Sequence, residues 1–528
     1  MTRYRLRALF AVACAAATAA VSPPALAQLT QTRVVEGALR GKASGDVAAF
    51  LGVPFAAPPV SEGRWKPPRA AAQWEGERKA DQFAASCQQA LTPQGFGPWT
   101  AEYVVQGQVS EDCLYLNVWT PAKTSGERLP VLFWIHGGGF TSGSGSVAIY
   151  DGARLAAKGI VVVSANYRVG VYGFLAHPEL SAESAVRASG NYGLMDQAVA
   201  LRWVHDNIAA FGGDASHVTI AGQSAGAAAV HHLIASPLAT GLFARAIAQS
   251  GSGMGLPVPD HAAAEAAGKA LGSADGKTLS LAALRALSAR QLDERVAKLS
   301  TPGSPGPRFG PIVDGVFLPN AASVGKNEND TPILTGMTAN EMTGLNPAYG
   351  KTTVATFSAQ VKATYGATAP DVMALYPAKD DVQAWTSLDA LARDRGLAAM
   401  YFWARQRKTR YPIYAYLWTH AEPGPDAGRY GAFHSSEIPY VFDTLDRSNR
   451  PFEKIDRALA EEISAYWVNF VKNGDPNGKR LATWPKLTAD GKQILELGDR
   501  TRDRAILGAR ELELFERHAQ SGGAVTLF

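Results

Sequence analysis

Residues Val218 to Ala228 read VTIAGQSAGAA, a short β-branched run that meets Gly222-Gln223-Ser224-Ala225-Gly226 and passes into an alanine-rich segment. The pattern predicts a strand, a sharp turn and a helix, with Ser224 at the tip of the turn and its hydroxyl pushed out of the sheet. Glycines two residues before and two after the serine remove the side chains that would collide where the strand and the helix pass each other. The turn also aims the first free N–H groups of the helix, Ala225 foremost, at whatever the serine attacks. This is the pattern of a nucleophile elbow, but five residues match by chance in many chains, so its meaning depends on its surroundings.

Upstream, Leu129 to Ile135 (LPVLFWI) is a continuous apolar run of strand length, as is Ile160 to Ser164. Such runs suit strands buried on both faces. Before the elbow, Leu194, Ala198, Leu201, Val204 and Ile208 recur at helical spacing, and Gly212-Gly213 stops the helix. Strand, helix, strand in that order predicts a parallel sheet with crossover helices. Downstream, Ala246 to Gly251, Pro332 to Gly336 and Ile413 to Trp418 read as further strands, and Ser387 to Arg407 and Leu459 to Val471 as helices. No internal repeat or low-complexity linker divides the chain, which favours one large domain.

A serine hydroxyl is a weak nucleophile, so Ser224 needs a base, and the base an orienting acid. Of ten histidines, His434 in GAFHSSE sits in a loop soon after the strand Ile413 to Trp418, where α/β sheets carry their functional groups. His420 lies closer to that strand's end, and position along the chain does not separate the two. For the acid, Glu341 follows the strand PILTG by a short loop, whereas Asp314 in PIVDG reads as a turn residue. The chain order is nucleophile, acid, base, as in α/β hydrolases. His136-Gly137-Gly138-Gly139-Phe140 follows directly on LPVLFWI, and its glycines leave backbone N–H groups uncovered. Gly138 and Gly139, together with Ala225, would form a three-donor oxyanion hole.

The 528 residues carry a net charge of +4. Residues 1 to 27 have the make-up of a signal peptide: Arg3, Arg5 and Arg7, an apolar run from Ala8 to Val21, and Ala25-Leu26-Ala27 before Gln28. Cleavage there leaves a net charge of about +1, which argues against a nucleic-acid partner. No stretch approaches the roughly 20 apolar residues of a membrane span, so stable membrane insertion is not expected. The mature chain keeps Cys87 and Cys113, 26 positions apart, which in an exported protein predicts one disulfide rather than a metal site.

Two longer stretches, EDCLYLNVWTP at 111 to 121 and FGGDASHVTIAGQSAG at 211 to 226, resemble the signatures of the type B carboxylesterases, the α/β-hydrolase family that includes cholinesterases and bile-salt lipases. The similarity also takes in FLGVPFAAPP, GNYGLMDQ, AIAQSG and WVNFVKNGDPNG. The resemblance implies an α/β-hydrolase fold over residues 28 to 528, with a large, mostly parallel sheet and helices on both faces. It implies a serine esterase acting on small-molecule esters through Ser224, Glu341 and His434, with His434 preferred to His420. Its oxyanion donors would be Gly138, Gly139 and Ala225, its first disulfide Cys87–Cys113, and it would need no metal or organic cofactor.

Two departures bear on specificity. Gln223 stands where cholinesterases carry glutamate, and Tyr103, ten residues before the second cysteine, stands where they carry the tryptophan that stacks on choline, with Trp99 displaced. The first removes any role of that charge, the second argues against choline esters, and an aromatic in this loop either lines the entrance or simply packs. Non-catalytic binding members of the family usually lack part of the triad, and here all three residues are present. Lipase, lactonase and amidase specificities would use the same machinery. Export places the protein in the periplasm or outside the cell, and its natural substrate and oligomeric state stay open.

Overall fold

The sheet predicted around LPVLFWI has eleven strands in the computed structural model, which describes residues 28–527 except 256–257, 275, 301–305, 321–328, 347 and 489–490. The predicted leader, residues 1–27, lies outside the described residues. In chain order the strands are β1 Lys42–Ser44, β2 Val47–Pro54, β3 Tyr115–Thr120, β4 Leu129–Ile135, β5 Val161–Ala165 and β6 Gly213–Gln223. They continue as β7 Arg245–Gln249, β8 Ile333–Thr338, β9 Ile413–Trp418, β10 Gln493–Leu497 and β11 Arg502–Ala505. Across the sheet the order is β11-β10-β9-β8-β7-β6-β4-β5-β3-β2-β1. The middle is parallel from β10 to β5, and the flanking strands pair antiparallel.

Alternation along the strands explains why apolar runs, rather than alternating ones, mark the centre. In β4, Val131, Phe133 and Ile135 join one hydrophobic cluster, while Leu132 and Trp134 join another on the opposite face. Burying each such side chain contributes about 1.5 to 3 kcal/mol, so the central strands carry much of the fold's stability. Helices cover the faces, among them α1 Tyr192–Asn207, α2 Ala225–Ala235, the short α3 Glu341–Leu345, α4 Asp381–Gln406 and α5 Lys454–Asn473. Of the described helices, none is long and apolar enough to cross a membrane. Cys87 and Cys113 are joined by a disulfide that closes the loop carrying Trp99 and Tyr103.

Register sets up the site. Ile135 lies opposite Gly222, Gln223 opposite Gln249, Gln249 opposite Gly336 and Thr338 opposite Trp418. The carboxyl ends of β4, β6, β7, β8 and β9 therefore form one edge, and the segments leaving that edge carry every residue predicted for the triad and the oxyanion hole.

Candidate active site

Ser224 stands between β6 and α2 with φ 59° and ψ −125°, a conformation disfavoured for a side-chain-bearing residue. Strain of this kind amounts to about 1 to 3 kcal/mol and persists only where the surroundings enforce it. Here they do: the Ser224 N–H donates to the Gln249 carbonyl at 2.9 Å, tying the turn to β7. A Cβ on Gly226 would lie 2.1 Å from the Ile135 carbonyl oxygen, so only glycine lets α2 pass the end of β4. The elbow predicted from five residues is thus enforced by contacts with two neighbouring strands.

The glycine loop after β4 packs directly on this turn. A Cβ on Gly137 would lie 3.2 Å from Ser224 Cβ. Gly138 and Gly139 have φ of 105° and 64°, which bends the chain back so that Thr141 N–H and Ser142 N–H both donate to the Gly138 carbonyl at 3.0 Å. Among the described residues, the N–H groups of Gly138, Gly139 and Ala225 donate to no protein acceptor. Three uncommitted donors beside a serine are what a developing oxyanion requires. His136 braces the loop: its ring stacks on Tyr167 with centroids 4.2 Å apart, and Nδ1 lies 2.9 Å from the Gly137 carbonyl oxygen. Burial pushes the His136 pKa down to about 4, so the ring stays neutral and donates to that carbonyl.

His434 is buried, and its Nδ1 meets Glu341 Oε2 in a short hydrogen bond. Glu341 begins α3, just beyond β8, and its other oxygen accepts from Thr338 N–H at 2.8 Å and from Ser250 Oγ–H at 2.5 Å. Burial alone would raise the pKa of this carboxyl, but the electrostatic pull and hydrogen bond of His434, with the bonds from Ser250 and Thr338, hold it below the usual range. The histidine loop is fastened to the glutamate loop through Asn340, whose N–H donates to the Ala432 carbonyl at 3.0 Å and whose Oδ1 accepts from Ala432 N–H at 2.9 Å. The amide nitrogen of Gln223, the residue preceding Ser224, packs beside the ring, 3.1 Å from Nε2 and 3.5 Å from Nδ1. An ionised carboxylate only accepts, so the Nδ1 that meets Glu341 carries the ring proton and Nε2 is the basic nitrogen.

The rivals lie elsewhere. His420 is clamped between two carboxylates, Nδ1 2.6 Å from Asp499 and Nε2 2.9 Å from Asp456, leaving neither nitrogen for Ser224. Asp314 Oδ1 accepts the N–H groups of Val316, Phe317 and Leu318, the turn role its neighbours predicted. Trp99 and Tyr103 are buried, and both pack on Phe433 beside the histidine. Trp99 Nε1–H donates to the His434 carbonyl at 3.0 Å, and Tyr103 O–H donates to Glu422 at 2.6 Å. The disulfide loop therefore steadies the backbone of His434.

Three contributors were not singled out from the sequence. Ser250 holds Glu341 from the end of β7; its position just after a strand at the functional edge was the available signal. Gln249 Nε2–H donates to Glu437 at 2.9 Å beneath the site. Burial, augmented by the negative charge of Glu341, pushes the Glu437 pKa up to about 7. Glu437 closes the GAFHSSE stretch, but nothing in that pattern distinguishes it from a surface glutamate. Among the described residues, no cluster of His, Cys, Asp and Glu could hold a metal ion.

Comparison with known proteins identifies the family. The carboxylesterase family pattern matches residues 27–515. A fumonisin B1 esterase of Sphingopyxis macrogoltabida is 38% identical over 92% of this chain and 88% of its own. A para-nitrobenzyl esterase of Bacillus subtilis is 33% identical over 87% of this chain and 93% of its own. The crystal structure of a carboxylesterase from Geobacillus stearothermophilus, 32% identical, superposes with a TM-score of 0.78 over 92% of this chain and 99% of that one. With its large, mostly parallel sheet and its match along nearly the whole length, this chain belongs to the carboxylesterase family and is a carboxylic ester hydrolase of the α/β-hydrolase fold.

Proposed function

We propose that Ser224, His434 and Glu341 form the catalytic triad of a serine esterase that works through a seryl acyl-enzyme. Ser224 Oγ attacks the ester carbonyl carbon while His434 Nε2 takes its proton. The N–H groups of Gly138, Gly139 and Ala225 receive the negative charge that develops on the carbonyl oxygen. The imidazolium hands its proton to the departing alcohol oxygen, leaving Ser224 acylated. Water, deprotonated by the same ring, then attacks the acyl carbon, and collapse releases the carboxylic acid and restores the serine. Glu341 keeps the ring proton on Nδ1 and stabilises the imidazolium. The scheme uses no metal or organic cofactor.

The observation that carries this reading is the contact of His434 with both the Glu341 carboxylate and Gln223, the residue adjoining Ser224. The relatives are named for different esters, so their names do not single out one substrate for this chain. Residues 1–27 serve, on this proposal, as a cleaved leader, and residues 28–528 work as one hydrolase domain in the periplasm or outside the cell. The Cys87–Cys113 disulfide supports that location, since such bonds persist in oxidising compartments.

The test is hydrolysis of p-nitrophenyl acetate and p-nitrophenyl decanoate by the mature protein and its Ser224→Ala variant, with circular dichroism to verify folding. Turnover of at least one ester by the wild type, and none by a folded variant, is expected. Unchanged turnover in the variant would contradict the assignment.

A further inference from the structure

The rim of the glycine loop carries a positive charge that the chemistry described so far does not use. Arg308 is exposed, and one guanidinium nitrogen, Nη2, lies 3.4 Å from the Gly139 carbonyl oxygen. Among the described residues, this long contact is its single hydrogen bond, and it has no carboxylate partner. On the open side of Gly139, a Cβ would meet two atoms within 4 Å: Arg308 Nη2 at 3.5 Å and Thr141 Oγ1 at 3.7 Å. The space beside this oxyanion residue is thus flanked by a guanidinium and a hydroxyl and is otherwise empty to that range. A guanidinium has five donors in a planar fork that matches a carboxylate. Four are left over here.

We propose that Arg308, assisted by Thr141, makes this enzyme select esters that carry a free carboxylate close to the scissile carbonyl, the simplest being monoesters of short dicarboxylic acids. The inference rests on the assignment of Ser224 as nucleophile and Gly139 as an oxyanion donor. A Cβ lies about 2.5 Å from its own backbone nitrogen, and Nη2 is 3.5 Å from the Gly139 Cβ position, so the guanidinium nitrogen sits within about 6 Å of the Gly139 N–H. A glutaryl chain, with three methylenes and about 5 Å between its carboxyl carbons, matches that separation when the two hydrogen bonds run side by side. Hydrolysis then proceeds as for any ester: water supplies a hydroxyl to the acyl carbon and a proton to the alcohol, giving the dicarboxylic acid and the free alcohol.

The experiment compares monoethyl glutarate with ethyl valerate, its uncharged counterpart, by pH-stat titration. Wild type, Arg308→Ala, Arg308→Lys and Ser224→Ala are assayed at low and high salt. Wild type should prefer the glutarate. In Arg308→Ala, kcat/KM for the glutarate should fall by about tenfold, mainly through KM, while that for ethyl valerate holds. Arg308→Lys should restore part of the loss, because charge survives without the fork. High salt should narrow the wild-type preference. Equal losses on both esters would overturn the proposal, because the guanidinium would then be serving the oxyanion or the loop itself. No loss on either would also overturn it. Ethyl valerate hydrolysis that survives Ser224→Ala would instead overturn the nucleophile assignment, and this inference with it.

Discussion

Replacing Gly226 with alanine is predicted to damage both stability and rate, against the trend for a helix residue. Gly226 lies in the first turn of α2 and does not adopt a positive φ. Propensity therefore favours alanine by about 0.8 to 1 kcal/mol, judged by helix interiors. The packing opposes it. The added Cβ would lie 2.1 Å from the Ile135 carbonyl oxygen and 3.0 Å from that of His136, where ordinary contact begins at 3.4 Å. Both atoms are backbone, so no side chain can swing aside, and the elbow must part from β4 by roughly 1 Å. Overpacking of this sort costs about 1 to 3 kcal/mol, which outweighs the propensity gain. The same shift separates Ser224 from the glycine loop, and a displacement of about 1 Å can lower the rate about 10²-fold. The assay is kcat/KM on p-nitrophenyl butyrate together with thermal unfolding. Gly428→Ala, where a Cβ meets nothing within 4 Å, is the control and should change neither. A Gly226→Ala enzyme with wild-type rate and Tm would refute the reasoning.

Three more predictions come from neighbouring groups. Ser250→Ala removes a hydrogen bond to the buried Glu341 carboxylate, so kcat should fall about tenfold with little change in KM; an unchanged kcat would show that Ser250 does not hold the acid. Glu437→Gln should reveal a pH-dependent stability difference, because burial holds this carboxyl protonated up to about 7 against an ordinary value of 4.5. Between about pH 4.5 and about pH 7 the unfolded chain releases a proton that the folded protein keeps, so wild type loses stability relative to the variant as pH rises. The relative shift should be on the order of 1 to 3 kcal/mol by pH 8 in urea unfolding, and a pH-independent difference would count against it. Replacing Cys87 and Cys113 together by serine should lower stability by about 3 to 4 kcal/mol in the chain-entropy account and loosen the Trp99 contact to His434, read as a lower kcat; unaltered unfolding and kcat would contradict this.

The legible parts of the chain were those whose signal is local. LPVLFWI and IYAYLW have the bounds of β4 and β9, because a strand buried on both faces needs an unbroken apolar run. The elbow, the glycine loop and Glu341 could be placed because each follows directly on such a strand. Strand β6 begins at Gly213, five residues before the β-branched run suggested, because its first half pairs with β4 only at Gly213 before a bulge. The last two strands, β10 and β11, carried no clear pattern: β10 is five residues long with glutamate among its apolar residues, and β11, at the sheet's edge, tolerates charges such as Arg502 and Arg504.

The site's supporting contacts were less legible because they join residues far apart in the chain. Trp99 and His434 are separated by 335 positions, and Ser250 and Glu341 by 91. Neither short spacing nor composition encodes such pairs. The choice between His434 and His420 shows the same limit. Both follow β9, and what distinguishes them is the company they keep in space: Glu341 and Gln223 for one, Asp456 and Asp499 for the other.

The most direct test of the account is covalent labelling of the nucleophile. The mature protein would be treated with p-nitrophenyl diethyl phosphate, which traps an activated serine, and its peptides mapped by mass spectrometry. The account predicts stoichiometric diethylphosphorylation of Ser224, complete loss of esterase activity, and no labelling in folded His434→Ala. Full inactivation with Ser224 unmodified and the adduct on another residue would contradict it.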